Sequence, residues 1–518
     1  MRFLLTPEQM SDMERRFFEA TGMPSIDLME RAASEVVKVL VERFGSDKTV
    51  FFACGPGGNG GDGLAAARLY REAGGNAAFA LSEPPRSADA KENHRRAIEA
   101  GVREIAPDSD GEPDIWVDAL FGTGFSRAPE GTAEALIQRI NRSRILRNCP
   151  VVSVDIPSGL SGLTGEAPGA AVWADITIAF QYAKLGHYLN DGLDASGEVV
   201  VRDIGIPSVH MAPGDPVILA SPAKADARHF PRNTHKGERG HVLVVAGSLG
   251  MAGAAALAAG AALRSGAGLV TVACPRCIVP VLQSLEPCAI CAPLPERGGA
   301  LSRDAVEPLK ALFAGKRALV VGCGLSRRCA PEIVEAALES GLPAVVDADA
   351  LNILSEHREL LQKLRPHHAL TPHPGEAERL LGRALSDPAS DVRALASLGC
   401  AAILKGASRL IATSGRPPVL SATGCAGMAK GGSGDVFAGM LGAHLARPLA
   451  NLGKPYSMAF WTPVPPDVSR RMDAMDLALV AELHGLAGLI AERRIGSEGM
   501  TAQDIVAAIP EVFRSDGD

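Results

Sequence analysis

The chain has 518 residues, a formal net charge of −7, and 47% hydrophobic, 21% charged and only 4% aromatic residues. That length asks for two or three domains with substantial cores, and the acidic balance speaks against nucleic acid as the main partner while leaving small anionic ligands open. Ten cysteines suit a reducing compartment better than a disulfide framework, and MRFLLTPEQMSDMERRFF lacks the apolar core of a signal peptide, so a cytoplasmic enzyme or binding protein is expected.

Taken in order, Thr6 and Gln9 with Pro7 in the first helical position predict a capping box at the start of a helix. From Thr49, TVFFACGPGGNGGDGLAAARLYREAG reads as strand, glycine loop and amphipathic helix, the unit that binds nucleotide or phosphate ligands in open α/β sheets. Gly55, Gly57 and Gly60 satisfy G-x-G-x-x-G, with Glu83 at the spacing of a ribose-binding acid. The dinucleotide signal is weak alone, and Asn59 and Asp62 add polar groups that an ordinary dinucleotide turn does not need. Further along, Asp118 ends a strand before Gly122-Thr123-Gly124, and Asp155 ends the next before Pro157-Ser158-Gly159. Lys184 follows a fourth strand. In a parallel sheet these strand ends face one crevice, so Asn59, Asp118, Asp155, Ser158 and Lys184 are predicted to converge there, as an oxygen-rich set suited to a hard cation. Each residue alone is more often a turn former or helix cap.

Residues 208 to 236 lose periodicity and read as a linker or docking segment. The uncharged stretch from Val242 to Leu263 is long enough to span a bilayer, but its VLVV start and its glycine breaks predict a strand, a turn and a buried helix. Two pairs, Cys274/Cys277 and Cys288/Cys291, have zinc-site spacing, yet they fall at a strand end and in an apolar stretch without the glycines of a metal knuckle. Strands at ALVVGCG, PAVVDADALN, HALTPHPGE and AAILKGAS then alternate with helices, predicting a second α/β domain with a mainly parallel sheet. Near the end, Gly431-Gly432-Ser433-Gly434-Asp435 precedes an alanine-rich helix, leaving free N–H groups at a helix N-terminus that would cradle a phosphate. Asp435 beside such an anion makes sense as a proton or metal handler. The bland alternative is an N-capping turn that permits close helix packing.

In combination the motifs carry a resemblance. GPGGNGGDG, VDALFGTG, VDIPSGL and AKLG, over roughly residues 1 to 215, resemble the Rossmann-like epimerase domain of the NAD(P)H-hydrate repair proteins. HKGxxG, AGSxxMxGA, VGCGL, DADALN, TPHPGE, LKGAS and GGSGD, in family order, resemble their ribokinase-like dehydratase domain. The resemblance implies an epimerase domain at 1–215, a linker at 216–236 and a dehydratase domain at 237–518. For the first domain it implies a potassium ion at Asn59, Asp118 and Ser158. Substrate contacts fall at Gly58, Asn59, Gly60, Gly61, Asp62, Gly122, Thr123, Gly124 and Asp155. For the second it implies hydrated-cofactor contacts at Ala254, Gly324, His373 and Asp435, with ADP and magnesium as the phosphoryl source. Its nucleotide contacts fall at Lys405, Gly406, Ala407, Ser408 and Arg409, and at Gly431, Gly432, Ser433 and Gly434. Two departures stand out: Gly58 replaces an asparagine, and Cys323 stands where the family commonly has proline.

The chemistry expected is epimerisation through an iminium, with Asp155 and Lys184 in the proton traffic, and phosphorylation followed by elimination, with Asp435 as base. Hydrated NADH and NADPH are the expected substrates, nucleic acid and membrane are not expected partners, and a homo-oligomer is expected. Two alternatives remain open on the residues: a ribokinase-type kinase for a small vitamin or sugar, and a first half that only binds ligand. For His373 taken alone, a buried hydrogen-bonded imidazole is the simpler reading. Residues 447 to 472, rich in proline and carrying Met458, Phe460 and Trp461, read as a contact segment or a surface loop.

Overall fold

The computed structural model describes residues 2–125, 127–211, 216–220, 234–447 and 472–513; most of the 216–236 linker and of the 447–472 segment lies outside them. The chain divides into two compact units at Val217/Ile218. Residues 217–219, placed by sequence in the linker, instead form the strand Val217–Leu219, which pairs with Val419–Ser421 of the second unit.

The first unit is built on a seven-stranded parallel sheet. From one edge its strands are Arg103–Glu104, Asn76–Leu81, Thr49–Cys54, Ile115–Ala119, Val151–Val154, Ile176–Phe180 and Glu198–Arg202. Strand alternation explains why both faces are covered. Val50, Phe52 and Cys54 pack with Met10, Met13, Phe17, Val36, Leu40 and Leu64 from helices on one side. Phe51 and Trp116 pack with Leu136, Ile137 and Ile140 on the other. This three-layer arrangement is the Rossmann-like architecture that the resemblance implies. The predicted capping box is present: the Gln9 N–H donates to Thr6 Oγ1 at 3.2 Å and the Thr6 N–H to Gln9 Oε1 at 2.9 Å, opening the helix Pro7–Thr21. Chain order reverses between Thr49–Cys54 and Ile115–Ala119, so the loops after these two strands splay apart and leave a crevice.

In the second unit, parallel strands run Ile290–Leu294, Leu269–Pro275, His241–Val245, Ala318–Val321, Ala344–Val346, His368–Leu370 and Ala401–Leu404. Arg409–Ala412 then joins antiparallel to both of its neighbours, so the sheet is mainly parallel, as expected. The apolar 242–263 stretch is the strand His241–Val245 and the helix Ala252–Arg264, whose Ala255, Ala258, Ala259 and Ala262 are buried. By length and composition Ala474–Ile495 would also cross a membrane, but 67% of its most apolar window is buried inside the protein. All ten cysteines are free. Cys274 and Cys291 lie on adjacent strands, while Cys288 is exposed. Among the described residues the four CxxC cysteines form no close set of ligand atoms.

Candidate active sites

At the switch point of the first sheet lies a cleft of about 560 Å³ lined by Gly57, Gly58, Asn59, Asp62, Gly122, Thr123, Gly124 and Asp155. The glycine loop can fold back over the strand end because a Cβ at Gly60 would stand 1.8 Å from the Gly55 carbonyl oxygen; only glycine fits there. Asn59 Nδ2 donates to the Phe121 carbonyl at 2.9 Å, tying this loop to the one after Ile115–Ala119.

Beneath the loops Asp118 is fully buried. Its carboxylate accepts from the Leu120 N–H at 3.2 Å, the Ser158 N–H at 2.8 Å, Ser153 Oγ at 2.8 Å and Ser158 Oγ at 2.5 Å. All four donors are neutral, and burial pushes the Asp118 carboxyl up despite them. A buried carboxylate held only by neutral donors, next to the Phe121 carbonyl and the Asn59 amide, is chemically suited to a hard cation.

Asp155 adopts a left-handed φ of 64°, an uncommon conformation for a non-glycine residue. It is held there by its surroundings. Its carboxylate pairs with Lys184 Nζ and accepts from the Phe180 N–H at 3.3 Å, while its carbonyl meets His187 Nε2 at 3.0 Å. The Lys184 N–H donates to His187 Nδ1 at 3.1 Å, so Nε2 carries the imidazole hydrogen and donates to Asp155. Burial, reinforced by the Lys184 charge, lowers the His187 pKa to about 4 and keeps it neutral. Lys184 is itself fixed by pairing of Leu4 and Leu5 with Ala183 and Lys184.

Two further carboxyls belong to this cleft. Burial and the Asp155 charge push Glu14 up to about 7, against the pull of Lys184, and burial followed by Asp155 raises Asp62 well above the usual carboxylate range. Sequence reasoning found Asp62 but missed Glu14. Its signal was present, since Glu14 shares the inward stripe of Met10, Met13 and Phe17 on an otherwise charged helix.

In the second unit the loop Gly431–Gly434 leads into the helix Ser433–Ala446. Gly432 takes φ 95°, where a Cβ would lie 2.6 Å from Leu257 Cδ1. Lys430 Nζ anchors the loop by donating to the Glu498 and Met500 carbonyls at 2.6 and 2.7 Å. A Cβ built on Gly434 would stand 3.6 Å from Lys405 Nζ and 3.9 Å from Asp347 Oδ2, so the loop, a lysine and a carboxylate face one point. Lys405 Nζ donates to Asp347 Oδ1 at 2.6 Å, and Thr371 Oγ1 donates to the same oxygen at 2.7 Å.

Asp435, in the first helical turn, has a pKa raised to about 7: burial is the main cause and the Asp347 charge adds to it, while Cys323 and Lys405 pull the other way. The Cys323 thiol is buried and pushed well above its usual range, so it stays protonated and donates to Asp435. Cys323, Asp347 and Asp435 bring ligand atoms within 4.8 Å of one another, the one such group among the described residues. The Asp347 carboxylate, which faces the glycine loop at Gly434, is suited to magnesium arriving with phosphate oxygens.

Ala254 and Gly324 are neighbours: a Cβ on Gly324 would be 2.9 Å from Ala254 Cβ, and Ser248 Oγ donates to the Gly324 carbonyl at 2.9 Å. His373 is not the buried imidazole of the simpler reading. Its side chain is 54% exposed, and it caps the helix Pro374–Leu381, with Nδ1 accepting the Gly375 N–H at 3.1 Å and Nε2 3.4 Å from Glu376. Gly406 and Ala407 are exposed and Ser408 is buried. Arg409 turns its side chain into the interior, against His484 Nδ1 at 2.8 Å and over the Phe437 ring at 5.3 Å, so its guanidinium braces the helix rather than facing the loop surface.

Fold and sites together define a two-unit α/β protein, with an acid-rich switch-point cleft in one unit and a buried carboxyl in the first turn of the helix after a glycine loop in the other. Residues 25–186 match the family described as YjeF-related protein N-terminus and residues 242–511 the family described as NAD(P)H-hydrate dehydratase. The bifunctional NAD(P)H-hydrate repair enzyme of Moorella thermoacetica is 35% identical over 99% of this chain and 97% of its own length. That of Escherichia coli is 31% identical over 96% and 92%. Among solved structures, an ADP/ATP-dependent NAD(P)H-hydrate dehydratase from Bacillus subtilis, co-crystallised with ATP and magnesium, is 23% identical with a TM-score of 0.43, covering 58% of this chain and 98% of its own. The chain belongs to the family of bifunctional NAD(P)H-hydrate repair enzymes.

Proposed function

We propose that the first unit interconverts the two epimers of hydrated NADH and NADPH, and that the second dehydrates the S epimer to NAD(P)H at the expense of ADP. The observation that carries this reading is Asp435, a carboxyl poised near neutrality beside Lys405 and the Gly431–Gly434 cradle. A hydroxyl is a poor leaving group and its phosphate ester a good one. Asp435 takes the hydroxyl proton while the loop N–H groups and Lys405 receive the negative charge of the transferring phosphoryl. The ring-nitrogen lone pair then expels phosphate, and loss of a proton from the adjacent carbon restores the double bond. Asp347 would hold a magnesium ion arriving with the nucleotide, which would supply charge neutralisation. Lys405 and the exposed 406–407 turn are assigned to the nucleotide, and Ala254, Gly324 and His373 to the hydrated cofactor.

In the first unit, Asn59, Asp118 and Ser158 are assigned to potassium, which would supply a fixed positive charge at this end of the sheet. The glycine loop and Gly122–Gly124 hold the substrate against Asp155. Free cysteines throughout support a cytoplasmic setting.

Incubation of hydrated NADH with the protein and either ADP or ATP, following both epimers and the absorbance of reduced nicotinamide, tests the whole scheme. Recovery of that absorbance with consumption of both epimers is expected. A stable phosphoester with no recovery would identify a kinase instead.

A further inference from the structure

We infer that Glu14 is the proton donor of the first site, a catalytic acid working opposite Asp155; the inference rests on the epimerase reading of that cleft. The observation is one of placement. On the helix Pro7–Thr21, Asp12, Arg15, Arg16 and Glu19 pair with one another at the surface. Glu14 does not join them. It sits on the stripe of buried Met10, Met13 and Phe17 and lines the cleft together with Asp62 and Asp155. Among the described residues no hydrogen bond or ion pair holds its carboxyl. A carboxyl on the apolar face of a helix is costly unless paired, and here it opens onto a cavity rather than onto a partner.

The charged groups around it assign the roles. Asp155 is already matched by Lys184 and is assigned as the proton acceptor. Glu14 feels Asp155 as a repelling charge and Lys184 as a weaker attracting one. Asp62, on the glycine-loop side, is repelled by Asp155, Glu14 and Asp89. His187 is neutral and committed to the Asp155 carbonyl. Carboxyls that line one cleft and repel one another are driven toward the protonated form, which falls on Glu14 and Asp62, while Asp155 is the one with a lysine partner.

The step balances. Glu14 gives its proton to the hydroxyl oxygen of the hydrate, the carbon–oxygen bond breaks with its electron pair going to oxygen, and water leaves as the ring-nitrogen lone pair forms the carbon–nitrogen double bond of an iminium. Water adds to the opposite face, the double-bond electrons return to nitrogen, and Asp155 takes the proton of the added water. A proton passing from Asp155 to Glu14 through cleft water resets the site. Nothing is oxidised or reduced.

The test is the full-length Glu14→Gln variant, assayed for epimer interconversion above the uncatalysed background, with the wild type and Asp155→Asn alongside. A kcat loss of about a hundredfold or more with little change in KM is expected, the size of a lost general acid. Wild-type kcat should fall as pH rises through about 7, where Glu14 gives up its proton, and that alkaline limb should be absent from the residual activity of Glu14→Gln. A carboxylic-acid infrared band that disappears at alkaline pH in the wild type and is missing in the variant would assign the proton without reference to activity. Wild-type protein that fails to interconvert the epimers overturns the epimerase reading. Wild-type protein that does so while Glu14→Gln keeps its kcat within about twofold and retains the alkaline limb overturns the role of Glu14 alone. If the glutamine variant folds poorly, as shown by a lowered melting temperature, Glu14→Asp, which keeps a carboxyl at this position, takes its place: a shifted alkaline limb and a shifted infrared band uphold the role of Glu14, and a limb and band unmoved from the wild type overturn it.

Discussion

Replacing Asp435 by asparagine keeps the side chain's shape, and its amide oxygen can still accept the Cys323 thiol, but it removes the group assigned as base in the dehydratase site. Loss of a positioned base costs about a hundred- to ten-thousand-fold in turnover, or about 3 to 5 kcal/mol of transition-state stabilisation. Dehydration of the S epimer should fall by that amount while epimer interconversion continues at its former rate. The same burial that prepares the base also predicts a stability effect. The folded carboxyl titrates at about 7 instead of its ordinary 3.8. Between those values the folded protein holds a proton that the unfolded chain has released, so stability falls as pH rises through this window and levels off above it. Asparagine does not titrate. The stability difference should therefore move in the variant's favour by up to about 4 kcal/mol between about pH 4 and about pH 8. Parallel denaturant titrations at the two pH values, with dehydration followed by nicotinamide absorbance, measure both effects. Equal loss of both activities would refute the assignment of Asp435 to one of two separate sites. An unchanged pH dependence of stability would refute its burial as the cause of its readiness.

Other perturbations separate the remaining parts. Lys405→Met leaves Asp347 and Asp435 without their cation, so nucleotide affinity measured by calorimetry should drop at least tenfold, and the pH midpoint of dehydration should move upward. Gly55→Ala places a Cβ 1.7 Å from the Leu120 carbonyl oxygen; it should destabilise the first unit by about 3 kcal/mol and abolish epimerisation, with the dehydration rate on purified S epimer as the control. Asp118→Asn removes the buried charge at the strand end, and the dependence of epimerisation on potassium chloride at constant ionic strength should disappear.

Much of this protein is legible in its sequence because its local signals agree. The capping box at Thr6 and Gln9, the glycine loops after strands, and the alternation of strands with helices each report the fold through the immediate chemistry of a few neighbouring residues. The strand-end residues Asn59, Asp118, Asp155 and Ser158 can be grouped by their positions in the chain because parallel topology brings such ends to one edge. Residues 217–219 carried no comparable signal. A short apolar run amid prolines resembles a linker until its partner strand Val419–Ser421 is in place.

The sequence by itself determined the architecture, the family and the identity of the polar residues at the ends of the strands, since these depend on periodicity and motif order. Only the tertiary structure decided what those residues are electrically. It matched Asp155 with Lys184, left Glu14 and Asp62 without an ion pair among the described residues, placed Asp347 and Cys323 against Asp435, turned Arg409 inward and brought His373 to the surface. The reason is that a carboxyl's proton affinity follows from its burial and from charges contributed by distant parts of the chain. Glu14 lies far from Asp155 in sequence, and nothing local to either residue announces that they share one cleft.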